Sequence, residues 1–143
     1  YGEGSEFEIG KGVVLHESAD DKATIITSGI MVDESLKAYE ALQAEGISVR
    51  VIDMFTWKPL DEELVLKAAK ETGAIVTAEN HNTCCGLGSV VANCLAKNCP
   101  TVQEFVGVQD EFGQVGPQAF LMDTYGLRAA NIVEAVKKAI ARK

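Results

Sequence analysis

The sequence predicts a doubly wound, three-layer α/β/α fold in which helices cover both faces of a mostly parallel sheet. Three observations support this prediction. The chain has 143 residues, the usual size of one domain. Short apolar segments rich in β-branched residues alternate with longer segments of helical periodicity. Parallel strands need long connections, so this alternation favours crossover helices on the two faces of one sheet.

Five segments are predicted as strands, because apolar residues run consecutively in them rather than alternating with polar ones. They cover residues 11–16, 23–27, 47–54, 74–78 and 101–108. Asp20 and Asp21 mark a turn between the first two strands that is too short for a crossover connection. We therefore expect the first strand to run antiparallel at an edge of the sheet.

Four segments are predicted as helices, because apolar residues recur in them at spacings of three and four. The first begins at residue 32 and ends at a glycine cap at residue 46. The other three cover residues 62–71, about 89–97, and 129–142. Asp61 is expected to cap the second helix and Gly73 to end it. Between the last strand and the last helix, Gly113, Gly116 and Pro117 predict a long loop.

Composition argues against several classes of function. The chain carries 13 Lys and Arg against 21 Asp and Glu, a net charge of −8, so nucleic acid is not an expected partner. No apolar run approaches the roughly 20 residues of a membrane helix, so no membrane association is expected. No secretion signal opens the chain, which makes a cytoplasmic location the default expectation. Residues 1–8 are predicted as a flexible lead-in to one domain over residues 9–143.

The four cysteines lie within one short stretch, at Cys84, Cys85, Cys94 and Cys99. Their spacing contains no C-x-x-C pair, and a disulfide framework would spread them over the fold. Cys94 falls on the apolar face of a predicted helix, where cysteine is an ordinary core residue. We therefore predict reduced, structural thiols and no bound metal.

Binding loops of open α/β sheets gather at the carboxyl ends of the strands, so the loops after the fourth and fifth predicted strands are the candidate sites. In the first loop, the amides around Gly86 and Gly88 are candidate anion contacts at a helix N-terminus, although glycines that merely reverse the chain give the same pattern. His81, oriented by Glu79, is a candidate acid or base. Without a nucleophile or oxyanion donors this pair is no catalytic set, and an interface role is the alternative.

The second loop contains Asp110, Phe112 and Gly113. A phenylalanine beside glycines is more typical of docking onto a neighbouring surface than of binding a small molecule. We predict that His81, Asp110 and Phe112 form one patch, and we assign no catalytic, cofactor-binding or metal-binding residue.

Five motifs in order resemble the C-terminal domain of transketolase, over residues 9–140. They are Ile9-Gly10-Lys11-Gly12, Thr56-x-Lys58-Pro59-Leu60-Asp61, Glu79-Asn80-His81 with Gly86-Leu87-Gly88-Ser89, Asp110-x-Phe112-Gly113-x-x-Gly116, and Tyr125-Gly126-Leu127. The resemblance implies a five-stranded sheet with one antiparallel edge strand. It also implies a parent transferase, of the kind found in the pentose phosphate pathway, that moves a two-carbon ketol unit between sugar phosphates.

That parent is expected to use thiamine diphosphate and Mg²⁺, held between its pyrimidine-binding and diphosphate-binding domains or subunit. The resemblance makes this domain an inactive packing and dimer-stabilising module of a homodimer, with no cofactor of its own. Two departures stand out. Cys84 and Cys85 replace more usual loop residues, one of them commonly glycine, and Arg128 replaces a capping threonine, so that the last helix is expected to lack its cap or to use Asn131.

Related enzymes share this domain, namely 1-deoxyxylulose-5-phosphate synthase and the beta subunit of the first component of 2-oxoacid dehydrogenases. The motifs Phe112-Gly113 and Tyr125-Gly126-Leu127 favour transketolase over both of these enzymes. A different class of function, a stand-alone regulatory module that binds an anion with the same loops, stays open at this point.

Overall fold

The computed structural model describes all 143 residues, Tyr1–Lys143. The strands are β1 (Val13–His16), β2 (Thr24–Thr27), β3 (Arg50–Asp53), β4 (Ala74–Asn82) and β5 (Val102–Val108). The helices are α1 (Met31–Ala44), α2 (Glu62–Thr72), α3 (Leu87–Asn98), α4 (Gln118–Thr124) and α5 (Ala129–Ala141). None of these helices combines the length and the apolar character needed to cross a membrane.

All five strands belong to one sheet, in the order β1-β3-β2-β4-β5. Only the pairing of β1 with β3 is antiparallel, and β1 lies at an edge. The predicted three-layer fold, the five-stranded sheet and its antiparallel edge strand are therefore confirmed. The chain leaves β2 towards β3 on one side and continues with β4 on the other side, so the topological switch point lies between the carboxyl ends of β2 and β4.

Two apolar layers pack on opposite faces of the sheet, and neighbouring residues of one strand contribute to different layers. Ile25 and Val76 pack with α1 and α5, whereas Ile26 and Ile75 pack with α2 and α3. All four side chains are fully buried, which stabilises the fold by about 1.5–3 kcal/mol each. This burial on both faces explains why the strands are continuous apolar runs in the sequence.

Three differences from the predicted elements concern the second half of the chain. β4 extends to Asn82, because its polar end still pairs with Val108 of β5. α3 begins at Leu87, two residues before the predicted start. A short helix, α4, occupies part of the predicted loop; only Met122 of its seven residues is buried, so no helical periodicity marked it.

Helix ends follow the predictions where the contacts are local. Asp61 caps α2 by accepting a hydrogen bond from the Leu64 amide at 3.1 Å, and Gly73 ends it with φ of 70°. At α5, where the sequence left open a missing cap or one formed by Asn131, the side chain of Asn131 accepts from the Arg128 amide at 3.2 Å. Glu34 of α1 supplies a second cap by accepting from the Ala129 amide at 2.7 Å, a contact that joins positions 95 residues apart.

Residues 1–8 form neither a helix nor a strand. The Tyr1 hydroxyl donates to Asp53, the last residue of β3, at 2.5 Å. The ring of Phe7 stands edge-on to Phe55 with centroids 5.1 Å apart. This segment therefore contacts the carboxyl end of the sheet.

Candidate functional site

The carboxyl end of β4 carries a buried carboxylate that caps the following helix. Glu79 is completely buried, and its two carboxylate oxygens accept hydrogen bonds from the amides of Leu87 at 2.7 Å and Gly88 at 2.8 Å. These amides belong to the first turn of α3, where a helix has unpaired donors and favours a negative charge. The chain itself thus supplies the anion at this helix N-terminus.

The two glycines of this loop are required by close packing. A Cβ atom on Gly86 would lie 1.9 Å from Glu79 Oε2 and 2.7 Å from the carbonyl oxygen of Asn82. A Cβ atom on Gly88 would lie 2.6 Å from the ring of Phe105. Both glycines are buried, so they let α3 approach the sheet rather than expose amides to solvent. An external anion would have to displace Glu79 to reach the amides of α3.

Burial raises the pKa of the Glu79 carboxyl group, while the hydrogen bonds from Gly88 and Leu87 and the charge of His81 act to lower it. His81 itself is exposed. Its Nδ1 atom lies 2.9 Å from the carbonyl oxygen of Asn82, and its ring stands edge-on to Trp57 with centroids 6.2 Å apart. The prediction that Glu79 orients His81 is wrong, because both oxygens of Glu79 are engaged with α3.

The loop after β5 lies beside the loop after β4. The side-chain amide of Asn82 donates to Asp110 at 3.3 Å and links the two loops. Phe112 is 99% exposed, although its carbonyl oxygen is held by the Tyr125 hydroxyl at 2.9 Å. A Cβ atom on Gly113 would meet nothing within 4 Å. This loop therefore projects an aromatic ring away from the domain on a backbone that is anchored next to it.

Other exposed apolar side chains lie in the same part of the fold, and we call the set the carboxyl-edge patch. It comprises Ile30, Phe112, Val115 and Phe120, of which Val115 is as exposed as Phe112. Beside the patch is an apolar cavity of about 490 Å³. The cavity is lined by Ile30, Asn80, Val108, Gly116, Gln118, Leu121, Met122, Tyr125 and Leu127. Ile30 follows β2, Asn80 lies near the end of β4 and Val108 ends β5, so the cavity lies at the carboxyl ends of these strands, beside the switch point of the sheet.

The cysteines divide into two pairs. Cys94 is buried in the layer formed by α2 and α3, as predicted, and Cys99 is partly buried. Cys84 and Cys85 have exposed side chains in the loop before α3, so the prediction of a structural packing role is wrong for these two. All four thiols are free.

The opposite, amino end of the sheet holds a charged cluster that sequence patterns did not indicate. Arg50 is only 4% exposed, and its guanidinium lies 2.6 Å from Glu71, 3.7 Å from Glu17 and 3.8 Å from Asp21. A polar cavity of about 470 Å³ adjoins these side chains and Lys67. Three carboxylates surround the two cations, so the cluster carries a net charge of −1, and its ion pairs hold the buried Arg50 within the fold.

Comparison with known proteins gives the same family from sequence and from structure. Residues 10–132 match the family described as "Transketolase, C-terminal domain". A Clostridium protein (strain MSTE9) described as "6-deoxy-6-sulfo-D-fructose transketolase subunit SqwH" is 47% identical over 141 residues, which span 99% of this chain and 43% of that protein. A Methanocaldococcus jannaschii protein described as "Putative transketolase C-terminal section" is 39% identical, over 95% of this chain and 43% of that protein.

A solved structure described as "Split gene transketolase, inactive beta4 tetramer" superposes with a TM-score of 0.92 and 46% identity. The match covers 99% of this chain and 46% of that one. The chain therefore spans less than half the length of these relatives.

Proposed function

The chain belongs to the transketolase C-terminal domain family, and we propose that it is the non-catalytic packing and dimer-stabilising domain of a transketolase. The parent enzyme would transfer a two-carbon ketol unit between sugar phosphates. The match over most of the chain carries this proposal. The geometry supports it, because Glu79, the candidate partner of His81, is instead part of the cap of α3.

We further propose that the parent is a transketolase divided between two chains. Two relatives support this proposal, one described as a transketolase subunit and the other as a putative transketolase C-terminal section. This chain covers 43% of the length of each. The partner would then be the chain that carries the diphosphate-binding region. One functional unit would consist of that region, the pyrimidine-binding region and this domain. Two such units would form the active dimer.

Thiamine diphosphate and Mg²⁺ would be held by those other regions of the parent. The cofactor needs a carboxylate at its ring and oxygen ligands for the metal that holds its diphosphate. The residues of this chain do not fit that requirement. Glu79 is engaged with two backbone amides, Asp53 accepts from Tyr1, and no group of three His, Cys, Asp or Glu residues is placed to hold a metal ion.

The surface that meets the rest of the parent is, in this proposal, the carboxyl-edge patch. Phe112 would be its apolar centre, with His81 and Asp110 at its polar rim, an arrangement typical of protein interfaces. The support is that Phe112 is fully exposed and that Asp110 accepts a hydrogen bond from Asn82, the residue after His81. The segment that contains Tyr1 and Phe7 contacts the same end of the sheet.

The Glu79 contact also bears on the stand-alone anion-binding alternative. The amides of Leu87 and Gly88 already bind a carboxylate within the domain, which leaves an external phosphate without its predicted donors. This contact favours the packing role over the regulatory module.

The proposal is tested with three samples: this chain alone, the remainder of the parent enzyme alone, and the two combined. We expect ketol transfer only in the combined sample. A stable dimer, measured by analytical ultracentrifugation, is also expected only there. Isothermal titration of this chain with thiamine diphosphate and Mg²⁺ is expected to show no binding in the micromolar range. Micromolar binding by this chain, or full activity and dimerisation of the remainder without it, would refute the proposal.

A further inference from the structure

The adjacent residues Cys84 and Cys85 are the two exposed thiols of the chain. They sit between β4 and α3, whereas Cys94 and Cys99 lie in or beside the apolar layer. Two sulfur nucleophiles are thus carried by consecutive exposed residues of one loop. Neither packing nor an assigned activity accounts for them.

The backbone of this loop is held in place by side chains on both sides. The Cys84 amide donates to Asn82 Oδ1 at 2.8 Å, and the Cys85 amide donates to Ser89 Oγ at 2.9 Å. The Ser89 hydroxyl in turn donates to the carbonyl oxygen of Thr83 at 2.8 Å. The loop is therefore ordered by its own hydrogen bonds, which keep both cysteines at the surface.

Cys85 has φ of 68°, in the left-handed region that favours glycine. A residue with a Cβ atom in this conformation costs about 1 kcal/mol relative to glycine. The strained residue is also one of the two that carry an exposed thiol. Such strain is concentrated at functional positions, because elsewhere glycine is the less costly choice.

We propose that Cys84 and Cys85 form a vicinal dithiol site that is reversibly oxidised by hydroperoxides. One thiol gives up its proton and its sulfur attacks a peroxide oxygen; the O–O bond breaks, a sulfenic acid forms, and the leaving oxygen takes up that proton and departs as water or an alcohol. The second thiol likewise gives up its proton and attacks the sulfenic sulfur; the S–S bond forms, the S–O bond breaks, and the hydroxyl takes up the proton and leaves as water. The two thiols together lose two electrons and two protons, and the peroxide is reduced. An external thiol reverses the reaction by exchange.

Oxidation is expected to reach α3, because Gly86 directly follows Cys85. Gly86 packs so closely against Glu79 that even a methyl group would not fit there. A ring closed between Cys84 and Cys85 changes the backbone at Cys85, so Gly86 has to shift against Glu79. The bonds from Leu87 and Gly88 to Glu79 are then the first to weaken.

The inference goes beyond the packing role and is tested on the 143-residue chain alone, so it can fail while the proposed function stands. The reduced chain is treated with hydrogen peroxide, and the products are analysed by intact mass and peptide mapping. We expect a loss of about 2 Da that maps to the peptide containing both cysteines and is reversed by dithiothreitol. Amide hydrogen exchange at Leu87 and Gly88 is expected to be faster in the oxidised form.

Cys94→Ser is the matched control and should keep the oxidation, whereas Cys84→Ser and Cys85→Ser should each abolish it. Phenylarsine oxide, a probe that two neighbouring thiols bind together, should bind each of these two variants about a hundredfold more weakly than the unmodified chain. Independent sulfinic acids, disulfides between two chains, or equal binding of phenylarsine oxide to the Cys85→Ser variant would overturn the proposal.

Discussion

The two glycine-bearing loops at the carboxyl end of the sheet are neighbours in space. They differ in how far their groups are buried and hydrogen-bonded within the domain. Beside the loop after β4, Glu79 of that strand is buried and bonded to α3, and Gly86 in the loop has no room for a side chain. In the loop after β5, Phe112 is exposed and Gly113 faces open space. The glycine of the first loop is packed against other parts of the domain, whereas the second loop leaves its aromatic side chain without a packing partner in the domain.

This difference separates a structural role from an interaction role that similar sequence patterns would not distinguish. Glycine in a strand-to-helix loop is compatible with anion binding, with chain reversal and with docking. Packing around the glycine decides among them. The loop after β4 stabilises the fold, and the loop after β5 leaves an apolar ring whose burial requires another surface.

Among substitutions at the two loops, Gly86→Ala is expected to have the largest effect on the stability of the chain. The new Cβ atom would collide with Glu79 and with the carbonyl oxygen of Asn82, and Glu79 cannot move without breaking the cap of α3. We expect a loss of about 3 kcal/mol in the free energy of unfolding, measured by urea denaturation. Gly113→Ala is the matched control and should change this value by less than about 0.5 kcal/mol. Equal effects of the two substitutions would remove the distinction between the loops.

Glu79→Gln tests the carboxylate itself at nearly constant volume. One oxygen is replaced by an amide nitrogen, so either Leu87 or Gly88 faces a second donor in a buried site. The expected loss is about 1–3 kcal/mol at pH 7, with faster amide exchange confined to the start of α3. A variant as stable as the original chain would show that the two hydrogen bonds to Glu79 contribute little.

Local patterns were sufficient for most of the fold. Consecutive β-branched residues and the periodicity of the helices predicted the sheet and its covering layers, and Asp61 was recognised because its bond to Leu64 spans three residues. Glu34 caps α5 from 95 positions away, and no local pattern indicates such a contact. Arg50 and its carboxylates likewise come together only when the strands pair.

For the site, the functional role of the two loops stays a prediction, whereas the hydrogen-bond partners of Glu79 are the amides of α3 and not His81. The available signal was a carboxylate at the end of a buried strand, eight residues before the amide of Leu87 at the start of a helix. A buried acid in that place is expected to seek the unpaired amides of the helix before a neighbouring histidine. The exposure of Phe112 was predicted from its setting, whereas that of Cys84 and Cys85 was not.

The two strands that precede these loops also differ in how their glutamates are paired. Glu79 of β4 accepts hydrogen bonds from backbone amides, whereas Glu104 of β5 forms ion pairs with side chains. Lys138 lies 2.8 Å from it, and Arg142 also contacts it. Partial burial acts to raise the pKa of Glu104, but these two cations outweigh it and hold the pKa below its usual value of 4.5. A lowered pKa in the folded state means that the stabilisation is present above the unfolded value and is lost as the pH falls through the folded one.

Glu104→Gln should therefore reduce stability at pH 7, and the loss should be smaller at pH 3. Lys138 and Arg142 are 67% and 50% exposed, so solvent screening limits the expected loss to about 0.5–1 kcal/mol. Urea denaturation at both pH values measures it. Glu40→Gln, at an exposed helix position without an ion pair, is the control and should show no such dependence on pH. A difference that grows towards pH 3 would contradict the lowered pKa.

The smallest effect on the chain itself is expected for Phe112→Ala, although this substitution should matter most for assembly. The ring is fully exposed, so its removal should change the free energy of unfolding by less than about 0.5 kcal/mol. Ile132→Ala, which truncates a fully buried side chain, should cost about 2–5 kcal/mol in the same assay. In the complete parent enzyme, Phe112→Ala should weaken docking or dimerisation by about 1–3 kcal/mol, measured by analytical ultracentrifugation. If docking is unchanged, Phe112 is not the centre of the interface. If the chain melts as Ile132→Ala does, the loop after β5 is as complete within the domain as the loop after β4.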